Sequence, residues 1–132
     1  MDNFKKYTYW LELCDDDLSV SKTLLNSKHL LHCGYFCQLV AEKAFKAIIS
    51  KNTDEIPPKI HDLPKLAKIG GIYNALGDYQ LNLLDKLKNL QIEARYPEYK
   101  EQIMQALDFK YCETLVRETE ELLCWIKQQL GK

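Results

Sequence analysis

A chain of 132 residues is sized for one domain and can bury roughly two-thirds of its unfolded surface without staples. Its 46% hydrophobic and 28% charged residues, with few Gly and Pro, exclude a disordered or fibrous protein. A formal net charge of -1 excludes the overall basic excess of a phosphate-tracking surface and leaves only a local basic patch open.

The five cysteines, Cys14, Cys33, Cys37, Cys112 and Cys124, are odd in number and fall within helical patterns. Their expected state is the free thiol of a reducing cytoplasm, buried as a small apolar group. No run approaches transmembrane length, and the first residues lack an apolar signal core. The expectation is an unprocessed cytoplasmic protein that makes no membrane contact.

The first helix is predicted from about Lys5 to Asn26, with Trp10, Leu11, Leu13, Cys14, Leu18, Val20, Leu24 and Leu25 on its apolar side. Asp17 interrupts that side between Leu13 and Leu24, where a carboxylate requires a partner. Lys43 and Arg95 are the candidates, and either pair would fix the register of the helices.

The second helix, over residues 34–52, carries Phe36, Cys37, Val40, Ala41, Ala44, Phe45, Ala47 and Ile48 around half of its circumference. Tyr35, Leu39 and Ile49 intrude on the other half, so this helix must be covered on nearly every side, as the centre of a bundle. Its polar stripe is Gln38, Glu42, Lys46 and Ser50, with Glu42 placed four residues before Lys46 for a weak ion pair. Residues 29–34 either connect the two helices or begin the second.

Pro57 and Pro58 stop the second helix. A short third helix follows, capped by His61 or Asp62, tolerating Pro64 in its first turn and ending at Gly70 and Gly71. Leu63, Leu66 and Ile69 are its inward candidates. The fourth helix, Asp78 to Gln91, has Tyr79, Leu83, Leu84, Leu87 and Leu90 at helical spacing. Pro97 then breaks the pattern, and a last long helix from about Lys100 or Met104 to Leu130 is expected to pack antiparallel to the fourth. No apolar segment reads better with a period of two. The expected fold is all-α, a single-domain up-and-down bundle over residues 1–132 with four long helices and one short.

Three islands carry a resemblance: Gln38 to Lys46 as Q-L-V-A-E-K-A-F-K, then His61-Asp62-Leu63, then Ala94-Arg95-Tyr96-Pro97. With Trp10, Leu11, Asp17 and Leu18 of the first helix they make the chain resemble a HEPN domain, from about Tyr9 to Leu130. The resemblance implies a small helical bundle that often dimerises. It implies a place beside a minimal nucleotidyltransferase, or action alone as a toxin-like ribonuclease. The ribonuclease branch resembles a pattern of an Arg followed, after four to six residues, by a His. From Arg95 those positions hold Lys100, Glu101 and Gln102, and His29, His32 and His61 all precede Arg95. Arg95 binds phosphate as a two-pronged donor but is no base.

The reading is therefore a non-catalytic module, a homodimer of prokaryotic type, that binds a nucleotide or RNA or partners a separate nucleotidyltransferase. A divergent ribonuclease and a purely structural dimerising bundle are the alternatives. The candidate ligand-binding residues are Arg95, Tyr96, Tyr99, Asp17, Gln38 and Lys43, with the tyrosines able to stack on bases. His29, Cys33 and Cys37 stand at four-residue intervals, yet structural zinc sites draw ligand pairs from two elements and no second pair follows, so no metal is expected. No glycine-rich phosphate loop or nucleophile elbow is present, so neither a cofactor nor nucleotide transfer is expected.

Overall fold

The structure, a computed structural model, describes residues 2–92, 101 and 105–131. Among the described residues five helices carry the fold: α1 (Asn3–Asn26), α2 (Leu30–Asn52), α3 (Leu63–Ile69), α4 (Asp78–Ile92) and α5 (Phe109–Leu130), with a 3-10 turn at Tyr73–Ala75. Among the described residues there is no strand. No helix among them is long and apolar enough to cross a membrane.

Capping explains where the helices begin and end. Asp2 accepts a hydrogen bond from the Lys5 amide at 2.8 Å, which starts α1 earlier than its apolar pattern does. At its other end Lys28 takes a left-handed conformation, φ 64°, while the His29 amide donates to Leu24 O and the Lys28 amide to Leu25 O. This pattern closes the orphan carbonyls within three residues and lets α2 begin at once, at Leu30. Residues 30–34 therefore belong to α2. Asp108 caps α5 by accepting from the Tyr111 amide at 2.7 Å, and Leu107 and Asp108 are not helical. The last helix accordingly starts later than Lys100 or Met104, and residues 102–104 lie outside the described ones.

Side-chain contacts fix the directions. Asn3 reaches Lys51 while Asp17 meets Lys43, so α1 and α2 are antiparallel. Lys22 meets Glu120 and Asp15 meets Lys127, so α1 also opposes α5. Tyr79 bonds Glu121 and Lys86 bonds Glu118, which sets α4 antiparallel to α5. Cys112 lies on Leu30 and Lys51 on Leu130 O, so α2 and α5 run the same way. The chain is an up-and-down bundle with α3 as a short excursion between α2 and α4. The main support of α5 is α2 rather than α4, because α2 offers apolar surface all round its circumference.

Phe45, Ile49, Leu63, Leu66, Leu83, Leu84, Leu87, Leu115 and Ile126 fill the core almost without exposure. Each side chain of this kind stabilises the fold by about 1.5–3 kcal/mol. Three residues predicted to face inward point out, among them Val20 of α1, which is 39% exposed. Ile69 is 38% exposed at the last turn of α3, and Tyr79 is 51% exposed, its hydroxyl donating to Glu121 at 3.0 Å. A short helix buries only part of its circumference, and a tyrosine at a helix start finds a hydrogen-bond partner at the rim. Gly70 closes α3 against α2 so tightly that a Cβ there would stand 2.8 Å from Ile48 Cγ2.

Candidate functional site

The polar stripe of α2 is inside the bundle. Gln38 and Ser50 are fully buried, and Glu42 and Lys46 are 4% and 8% exposed. Charges so placed survive only when paired and hydrogen-bonded. Glu42 is the hub. Its carboxylate accepts from Lys46 Nζ at 3.0 Å, from Gln38 Nε2 at 3.3 Å and from His61 Nδ1 at 3.0 Å. Gln38 Nε2 also lies 3.4 Å from the His61 carbonyl, and the Lys46 ammonium stands 5.7 Å from the Trp10 ring centre. Trp10 of α1 thus covers one side of the network as a cation–π partner. Gln38 Oε1 and Ser50 Oγ, both buried, are left without a partner among the described residues.

His61 arrives from outside α2. The proline-containing connection after Asn52 leaves the helix, and the chain returns one residue before Asp62 caps α3 by accepting from the Lys65 amide at 3.1 Å. Asp62 is thus the cap. His61, the other predicted cap, turns its ring back to Glu42. Donation from Nδ1 to the carboxylate sets the tautomer and leaves Nε2 as the nitrogen not committed to Glu42. The ring remains about half exposed.

Beside it opens a cleft of about 760 Å³. One wall comes from Ile60, His61, Asp62, Leu63, Pro64 and Lys65, the other from Asp85 and Lys88 of α4. Asp62 is committed to its cap, whereas the side chains of Lys65, Asp85 and Lys88 have no partner among the described residues. Two ammonium groups and an imidazole can donate to an anion, one carboxylate is free to accept, and Ile60 and Pro64 supply an apolar wall. The volume and the mixture of an apolar lining with a few polar groups suit a small ligand.

The predicted site residues divide three ways. Asp17 and Lys43 bind each other at 2.5 Å, with side chains 14% and 23% exposed, so among the described residues Lys43 is the partner that Asp17 required. This pair locks α1 to α2 and does not line the cleft. Gln38 joins the Glu42 network behind the cleft. Arg95, Tyr96 and Tyr99 lie outside the described residues.

The sequence offers His61 as a cap and sets Lys65 beside it, with Lys59 and Lys68, as local positive charge that most simply solvates a face, whereas it does not single out Asp85 and Lys88. One signal pointed to His61: a polar stripe on a helix that must be covered on all sides needs a polar partner from elsewhere. Nothing in the spacing of Lys65, Asp85 and Lys88 distinguishes them from ordinary surface charges.

The cysteines form no second site. Cys14, Cys33, Cys37 and Cys112 are buried free thiols and Cys124 is exposed. Burial pushes Cys14 and Cys112 up to about 12. The Cys33 S–H lowers Cys37, but the Ser21 and Thr119 hydroxyl protons beside it are already given to Leu18 O and Leu115 O at 2.7 Å. Cys37 is sealed from solvent, so this thiol is a packing element. His29 and His32 are on the surface while Cys33 and Cys37 are in the core. Among the described residues no three metal-ligating side chains converge.

An all-α bundle whose central helix holds an imidazole at the edge of a mixed-charge cleft is a small helical domain. The chain belongs to the HEPN domain family, whose model matches residues 7–129. Comparison with curated proteins and with solved structures gives no match.

Proposed function

We propose that this chain is a HEPN-type module that takes a nucleotide, or a nucleotide of single-stranded RNA, into the cleft between α3 and α4. The observation that carries this reading is the imidazole of His61, held at the cleft by the buried carboxylate of Glu42. Burying Glu42 and Lys46 is costly, and the one partly exposed group this expense orients is the His61 ring. Lys65 of α3 and Lys88 of α4 add positive charge to the cleft lining, so a phosphate entering there meets donors from two elements.

The module binds without cutting. Arg95 is not followed by a His at the spacing of the family's ribonuclease pattern, and binding requires none. Family membership supports the homodimer and the partnership with a separate nucleotidyltransferase as the settings in which the module works. In sequence, Arg95 follows the end of α4 by three residues, the helix that carries Asp85 and Lys88. Arg95, Tyr96 and Tyr99 stay ligand-binding candidates in this reading.

Isothermal titration with nucleoside monophosphates and with a short single-stranded RNA tests it, with His61→Ala and Lys88→Ala as the variants. Binding that both substitutions weaken supports the reading, and no binding to any of these ligands overturns it. Intact RNA after prolonged incubation is expected. Cleavage that disappears in Arg95→Ala would establish the ribonuclease alternative in its place.

A further inference from the structure

The cleft carries both signs of charge, which is more than a phosphate site needs. Its two carboxylates are not equivalent. Asp62 accepts the Lys65 amide and holds the start of α3, whereas Asp85, on an exposed face of α4, has no partner among the described residues. Lys88 stands three residues further along the same helix, so Asp85 and Lys88 project from one face in adjacent turns. An acceptor and a donor without partners among the described residues therefore come from α4, and the apolar surface of Ile60 and Pro64 comes from the start of α3.

A carboxylate offers two parallel acceptor oxygens. Of the four RNA bases, guanine alone presents two adjacent N–H donors on its Watson–Crick edge, N1–H and the exocyclic N2–H. Adenine and cytosine each set one amino donor beside a ring acceptor, which a carboxylate repels, and uracil sets its single N–H between two carbonyl oxygens. Base edges are available for such readout when the nucleotide is free or single-stranded. Resting on the reading that the cleft binds nucleotides, we infer that it selects guanine: Asp85 accepts from the base edge, Ile60 and Pro64 cover its face, and Lys65, Lys88 and His61 take the phosphate.

The test is a competition titration with GMP, AMP, CMP, UMP and inorganic phosphate, repeated with single-stranded RNA 6-mers that contain or lack one G. Wild-type protein is expected to favour GMP over AMP by about tenfold or more, the scale of one good bidentate base contact. Asp85→Asn, whose amide can accept through only one oxygen, is expected to remove most of that preference and to leave phosphate-dependent binding in place. Circular dichroism confirms that this exposed-site variant stays folded. A preference shared by GMP and the G-containing RNA supports the inference for both sources. A preference seen only with the RNA, or only with GMP, supports it for that source alone. Equal binding of all four monophosphates, or a guanine preference that survives in Asp85→Asn, overturns base selection while the binding reading stands. Failure of every nucleotide and RNA to bind overturns both.

Discussion

Replacing Glu42 tests whether the buried network is as dry as its geometry implies. Glu42→Ala removes the only carboxylate that Lys46 touches among the described residues, and with side chains 5% and 10% exposed neither group can turn to bulk solvent in place. Removing one partner of a buried ion pair costs about 3–5 kcal/mol, because the other charge stays behind uncompensated. Against a total stability of about 5–15 kcal/mol, such a loss is severe. Gln38 keeps its contact with the His61 carbonyl, so its amide adds little to the cost. The companion variant Glu42→Leu with Lys46→Met removes both charges at similar volume and is expected to be as stable as the wild type, or more stable by about 1–4 kcal/mol. Urea unfolding with linear extrapolation measures both. The double variant should fold well and still bind nucleotide poorly, because the His61 ring loses its anchor. A cost below about 1 kcal/mol for Glu42→Ala, the range of exposed pairs, would show that water reaches the network and would refute the reasoning.

Other outcomes follow from single contacts. A double-mutant cycle on Asp17 and Lys43 should give a coupling of about 1.5–3 kcal/mol, the scale of a charged hydrogen bond, since both side chains are largely covered. Gly70→Ala should destabilise by about 1–3 kcal/mol, because its Cβ would press into the branched Cγ2 of Ile48. Gly34→Ala should be near neutral in the same assay: the nearest atom is the mobile end of Leu90 at 3.1 Å, and alanine favours the helix by up to about 1 kcal/mol. A thiol reagent should label Cys124 quickly in the native protein and the four buried cysteines only on unfolding. Cys14 and Cys112 are raised from 9.0 to about 12 in the fold, so the unfolded chain loses these protons first. Stability should therefore be unaffected by them below pH 9 and fall as the pH rises from 9 towards 12, as thermal melts across that range would show.

The sequence by itself determined the helices, because a period of 3.6 in apolar residues and the side chains that cap or stop a helix are local properties. It also determined that α2 is central: no other stretch has apolar residues on nearly all sides. The same stretch concealed its main feature. Gln38, Glu42 and Lys46 read as a polar stripe whose surroundings the sequence leaves open, and they become a buried network only when Trp10 and His61 arrive from segments far away in the chain. Asp17 announced a need for a partner, and the packing of α1 against α2 chose Lys43. Ile69 and Tyr79 fit their helical wheels and still point outward, since a wheel gives the direction of a side chain but not the reach of the neighbouring helix. The cleft lay furthest from view. Its charges come from α4 and from the start of α3, and only the bundle's topology, which turns that start back over Glu42 and sets α4 beside it, brings them to one place.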